Sequence, residues 1–78
     1  MKWLDRLAAV ILIDLRDETA TITKGTSPAR IVREIQDITA QEPHLRGYLW
    51  TEKGGRWKFS RSIPAPLQQR IRNVIASL

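Results

Sequence analysis

Tyr48-Leu49-Trp50-Thr51-Glu52-Lys53-Gly54-Gly55-Arg56-Trp57-Lys58-Phe59 is the stretch whose reading decides the fold. Two runs of strand-forming residues flank a Gly-Gly pair. Glycine supplies the positive φ that both central positions of a type I′ turn require, so the stretch predicts a β-hairpin with a two-residue loop. In that register Lys53 pairs with Arg56, Glu52 with Trp57, Thr51 with Lys58, Trp50 with Phe59 and Leu49 with Ser60. One face then carries Tyr48, Trp50, Trp57 and Phe59. The other carries Leu49, Thr51, Lys53, Arg56, Lys58 and Ser60. The stretch holds four of the five aromatic residues of the chain, and this split assigns them to a core rather than to solvent.

Working towards the N-terminus, Glu42-Pro43 ends a helical segment, because the residue before proline is pushed out of the α region. That segment opens at Gly25-Thr26-Ser27-Pro28, with Ser27 expected to accept from the free amides of the first turn and Pro28 at the first helical position. Its apolar stripe is Ile31, Val32, Ile35 and Ile38. Earlier still, Ile11, Ile13 and Leu15 alternate with Leu12, Asp14 and Arg16, and residues 19–23 read Thr-Ala-Thr-Ile-Thr. With Asp17-Glu18 as the loop, a second hairpin sets Leu15 against Ala20 and Ile13 against Ile22. It buries one side and shows Asp14, Arg16, Thr19, Thr21 and Thr23 on the other. Residues 1–9 form an amphipathic turn that places Trp3, Leu4 and Leu7 together.

Towards the C-terminus, Ile63-Pro64-Ala65-Pro66 opens a last helix with the stripe Leu67, Ile71, Val74, Ile75 and Leu78. The order is ββαββα. Residues 10–78 are thus expected to form one α+β domain, two layers deep, with two helices on one face of a four-stranded, mainly antiparallel sheet. A winged helix is the competing architecture: residues 3–16 as one helix, 28–41 as a recognition helix and 53–56 as the wing tip. Its recognition helix would aim Arg30 and Arg33 at DNA together with Glu34, Asp37 and Glu42, a net negative face.

Phe59-Ser60, Ile63-Pro64, Gln69-Arg70 and Arg72-Asn73-Val74 resemble the closing signature of a small family of uncharacterised bacterial proteins, a domain of unknown function. The similarity extends over roughly residues 10–75. Members of that family often begin with a longer hydrophobic, membrane-anchoring segment that residues 1–9 do not match, so the resemblance leaves membrane contact open. It implies no activity.

Length and composition narrow the function classes. Seventy-eight residues, 42% hydrophobic and 27% charged, suit one globular domain without cysteine staples, at a size that buries only about 60% of the surface of its unfolded chain. A bilayer span needs about 20 apolar residues, and the longest apolar run is 7–13; with no signal-peptide pattern either, the chain reads as cytoplasmic. His44 is the only histidine and has no catalytic partner in sequence. Asp14, Asp17 and Glu18 are too few for a calcium cage, and no nucleophile elbow or phosphate loop is present. No catalytic residue, cofactor or metal is expected.

The charge is lopsided. Residues 1–39 carry six bases and six acids, whereas residues 40–78 carry seven bases against Glu42 and Glu52, so the whole excess of +5 lies in the second half. Clustered cations attract polyanions. The expectation is non-enzymatic, weakly sequence-specific nucleic-acid binding, DNA or RNA, through Lys53, Arg56, Lys58 and Arg61, with Arg70 and Arg72 behind them. The alternative is a self-associating or adaptor module, a homodimer among the options. Its surface would be an apolar patch of Val10, Leu12 and Leu49 on the outer sheet face with Trp3, Leu4 and Leu7 nearby.

Overall fold

The alternation at residues 9–24 folds as a hairpin. β1 (Ala9–Arg16) and β2 (Thr19–Lys24) run antiparallel, with Leu15 opposite Ala20 and Ile13 opposite Ile22. The loop is Asp17-Glu18, both at positive φ, 50° and 61°. L-residues in that region are strained by about 1–2 kcal/mol each, and the surroundings hold them there. Arg46 reaches the Asp17 carboxylate at 3.2 Å, and Thr19 Oγ1 donates to the Asp17 carbonyl at 3.2 Å. The helix α2 (Ala29–Ala40) supplies the firmest clamp. Gln36 Nε2 donates to the Glu18 carbonyl at 2.6 Å, while the Ala20 amide donates to Gln36 Oε1 at 2.7 Å. One side-chain amide thereby occupies backbone groups on the outer edge of β2, where an open edge would invite another chain.

β3 (Gly47–Glu52) and β4 (Trp57–Phe59) complete one sheet in the order β2-β1-β3-β4, antiparallel throughout. The helix α3 (Ala65–Ser77) follows. The computed structural model describes residues 3–77, and their side chains apart from those of Trp3, Asp5 and Arg6; the expected roles of Trp3 and Leu78 lie outside the described side chains. The expected α+β architecture is the observed one. The winged-helix alternative falls, because residues 9–16 are a central strand and not the continuation of a helix.

α2 and α3 lie on one face over Ile13, Leu15 and Leu49, with Ile35, Ile38 and Ile71 facing down and Ile63, just before α3, in the same core. Each fully buried aliphatic side chain stabilises the fold by about 1.5–3 kcal/mol. Two core residues escaped the sequence pattern. Leu45 sits in an irregular loop yet is buried, and Thr39 is fully buried with its hydroxyl bonded to the Ile35 carbonyl at 2.8 Å. Ser27, expected to cap α2, does not. Pro28 is itself the N-cap rather than the first helical residue; its carbonyl accepts from Ile31 and Val32, and no side chain caps the helix. Ser27 stands one residue too early to reach the amides, and its buried hydroxyl has no partner.

The second hairpin differs from the expected register by one residue. Leu49 pairs with Phe59, Trp50 with Lys58 and Thr51 with Trp57, so the loop is the three residues Lys53-Gly54-Gly55 rather than Gly54-Gly55 alone. Both glycines use positive φ, and the Gly55 amide donates to the Glu52 carbonyl at 3.0 Å. A slip of one residue exchanges the faces. Leu49 enters the helix-side core with Trp57 and Phe59 packed against that core, while Tyr48 and Trp50 turn to the opposite face. The reason is position. β3 is a central strand buried on both sides, so Leu49 and Trp50 are both apolar sites and alternation cannot choose between registers.

On that opposite face Trp50 joins Ala9 and Leu12, with Tyr48 alongside. The short helix α1 (Trp3–Ala8) leads into this side of β1, and Lys24, paired with Leu12 across the sheet, donates to the Leu7 carbonyl at 3.1 Å. The expected outer patch is corrected accordingly: Leu12 and Leu49 are buried, and Val10, displaced by a bulge in β1, remains exposed with Leu4 and Leu7.

Candidate functional site

The register decides where the predicted cations go. Lys58 shares its face with Trp50, and its ammonium is held by Glu52 at 2.6 Å. Arg70 turns towards α2, where it meets Gln41 Oε1 at 3.4 Å. Arg61 follows β4 at the end remote from the hairpin loop and is exposed. The six residues therefore do not form one surface. Lys53 and Arg56 are exposed at the loop, and Arg72 comes to the same end from α3.

That convergence follows from topology. β3 runs towards the loop and α3 runs back in the same sense, so the C-terminal turns of α3 arrive beside β4. Arg72 lays its guanidinium over the Phe59 ring, 4.7 Å from the centroid. Such a contact fixes the direction of a long side chain and contributes about 0.5–1 kcal/mol at an exposed position. Arg56, Trp57, Arg72, Ile75 and Ala76 line a shallow cavity of about 450 Å³. A second, of about 480 Å³, lies on the other side of Trp57, between Val10, Ile11, Pro28, Ile31 and the loop residues Lys53 and Gly54. Trp57 borders both.

The site is electropositive with an apolar floor. Among the described residues Arg16–Asp14, Arg46–Asp17 and Lys58–Glu52 form ion pairs, and none of these engages Lys53, Arg56 or Arg72. Glu52 is the carboxylate among the lining residues of the two cavities, and Lys58 holds it. The arrangement can neutralise an anion while placing apolar surface beside it. His44 is exposed in the loop before β3, and Asp14 and Asp17, two of the three carboxylates at the first turn, are paired with arginines. Among the described residues no three His, Cys, Asp or Glu are placed to hold a metal ion, and no helix is long and apolar enough to cross a membrane.

Residues 4–77 match a family described as "Protein of unknown function (DUF3634)". The chain belongs to this family. The match spans the short helix, both hairpins and both long helices, so the DUF3634 domain is the whole fold described above. No curated protein and no solved structure matches the chain. Membership of DUF3634 assigns kinship without chemistry, and any function has to be read from the residues themselves.

Sequence reasoning reached Lys53, Arg56 and Arg72 through charge, and it missed their relation to Trp57. The missing signal is long-range. Nothing local links Phe59 or Trp57 to Arg72 until α3 is laid antiparallel to β4.

Proposed function

We propose that this domain is a non-enzymatic binder of polyanions, nucleic acid foremost, through Lys53, Arg56 and Arg72 around Trp57. The observation that carries the reading is the pairing pattern: three cations converge at one end of the sheet, with no carboxylate partner among the described residues, beside an exposed cavity. Unpaired cations at a rim neutralise phosphates and release counterions, which gives binding that is steeply salt-dependent and indifferent to sequence. Lys58 and Arg70 have partners within the domain and are set aside from the interface.

The test is a polarisation titration of fluorescent oligonucleotides over a range of salt. Wild type should lose affinity linearly in log–log form. Lys53→Glu combined with Arg56→Glu should weaken binding at least tenfold and flatten the slope by roughly 0.7–0.9 for each phosphate that is no longer neutralised. Both residues are exposed at the hairpin loop, so the variant should keep its far-UV circular dichroism. Unchanged affinity would remove the assignment.

Self-association is a second reading, favoured by one feature. Leu4, Leu7 and Val10 are 59%, 66% and 53% exposed, three aliphatic side chains close in sequence with no covering partner among the described residues. A second copy meeting this row would bury it. Sedimentation velocity should then show a dimer that Leu7→Lys returns to monomer, and a wild-type monomer at high concentration would end this reading.

A further inference from the structure

Resting on the polyanion reading, we infer that the preferred ligand is single-stranded, and that one unpaired base stacks against Trp57 in the cavity between Arg56 and Arg72. Phosphate contacts alone do not distinguish strands from duplexes. The surroundings of Trp57 do. Its side chain is half-buried on the helix-side face of the edge strand β4, so the sheet leaves its outer flank without a neighbour. The cavity beside it, about 450 Å³, falls within the roughly 300–1,000 Å³ typical of small-ligand sites. Its lining is Trp57, Ile75, Ala76 and the two arginines Arg56 and Arg72. Flat apolar surface beside planar cations accommodates the π-face of a nucleobase, and bases in a duplex keep theirs covered by their neighbours.

The same lining argues for tolerance of sequence. Arg56, Trp57, Arg72, Ile75 and Ala76 include no carboxylate or amide side chain to read cytosine or adenine, so that guanine is the one base the two arginines could favour. Arg72 is pre-oriented by Phe59, which leaves its guanidinium at the rim. The outer sheet face does not compete for this role. Trp50 is 6% exposed there within the Ala9–Leu12 cluster, and the face continues through Asp14, Thr19 and Thr21 rather than a row of open aromatics. Stacking therefore belongs at the edge of the sheet and not across its open face.

The experiment compares three labelled ligands of one length at one low salt concentration: a single strand, its duplex, and the single strand with abasic sites. The proteins are wild type, Trp57→Phe and Trp57→Ala. The single strand should bind wild type at least tenfold more tightly than the duplex. Trp57→Ala should lower single-strand affinity roughly five- to one-hundred-fold, the effect of losing one base–aromatic stack, while Trp57→Phe keeps most of it. The abasic strand should bind wild type as weakly as the normal strand binds Trp57→Ala. This comparison stands on the unaltered protein, so it decides the matter even where Trp57→Ala fails to fold. Equal, salt-sensitive binding of all three ligands to wild type would overturn the stacking inference and leave phosphate binding intact. No binding of any ligand at the lowest salt would overturn both.

Discussion

Gly25→Ala is expected to unfold the domain at room temperature, with loss of the sheet signal in circular dichroism and of any cooperative urea transition. Gly25 closes β2 at φ 76°, in the left-handed region that L-residues rarely adopt. That alone costs about 1–2 kcal/mol. Steric conflict adds more. A β-carbon built there would lie 2.1 Å from the Val10 carbonyl oxygen, with Ile11 Cα at 3.2 Å. Both are backbone atoms of β1, so no side-chain rotation relieves the contact, and the chain must pull away from the strand beside which it runs. A domain of this size rarely holds more than about 3–5 kcal/mol. The control is Gly55→Ala, at φ 81° with nothing within 4 Å of the added carbon. It should lose only the conformational part, about 1–2 kcal/mol, and still melt cooperatively. Equal stability of the two variants would mean that β1 yields at Val10, where its bulge already interrupts the ladder.

The contrast between the two hairpins shows what kind of information a sequence holds. In the first, β2 is an edge strand with one wet side. Thr19, Thr21 and Thr23 mark that side, Ala20 and Ile22 mark the other, and the register follows even though Asp17-Glu18 is a poor turn sequence on local grounds. Here the pattern of burial prevails over turn chemistry. In the second, Gly54-Gly55 is a strong turn signal, yet it fits a loop of three residues as well as one of two. β3 needs apolar side chains on both faces because it lies between β1 and β4 while α2, α3 and the Ala9–Leu12 cluster cover its two sides. The second face exists only because Ala9 and Leu12 are carried past β3 by the topology. That is a tertiary fact. The candidate site inherits the same division: its charges are visible as composition, whereas the groove around Trp57 exists only where α3 returns beside β4.

The register of β3 makes Leu49→Ala a decisive substitution, and the expected result is a protein largely unfolded in water. Leu49 is fully buried at the centre of the sheet, paired with Ile13 on one side and Phe59 on the other. Truncating a buried leucine costs about 2–5 kcal/mol, towards the upper end where the surroundings cannot collapse. The neighbours here are two strands fixed by their ladders and helix residues such as Ile35 and Ile71, both fully buried, which leaves little freedom to close a void. The loss therefore matches the whole stability expected for so small a domain. Val10→Ala supplies the control, since Val10 is half exposed and should shift the urea midpoint by an amount within about 0.5 kcal/mol of stability. With a two-residue loop, Leu49 would instead stand on the outer face beside Lys58 and Ser60, and its truncation would be as mild as that at Val10. A cooperative, near-wild-type melt for Leu49→Ala would thus restore that register, with Leu49 on the outer face and Tyr48 and Trp50 under the helices beside Trp57.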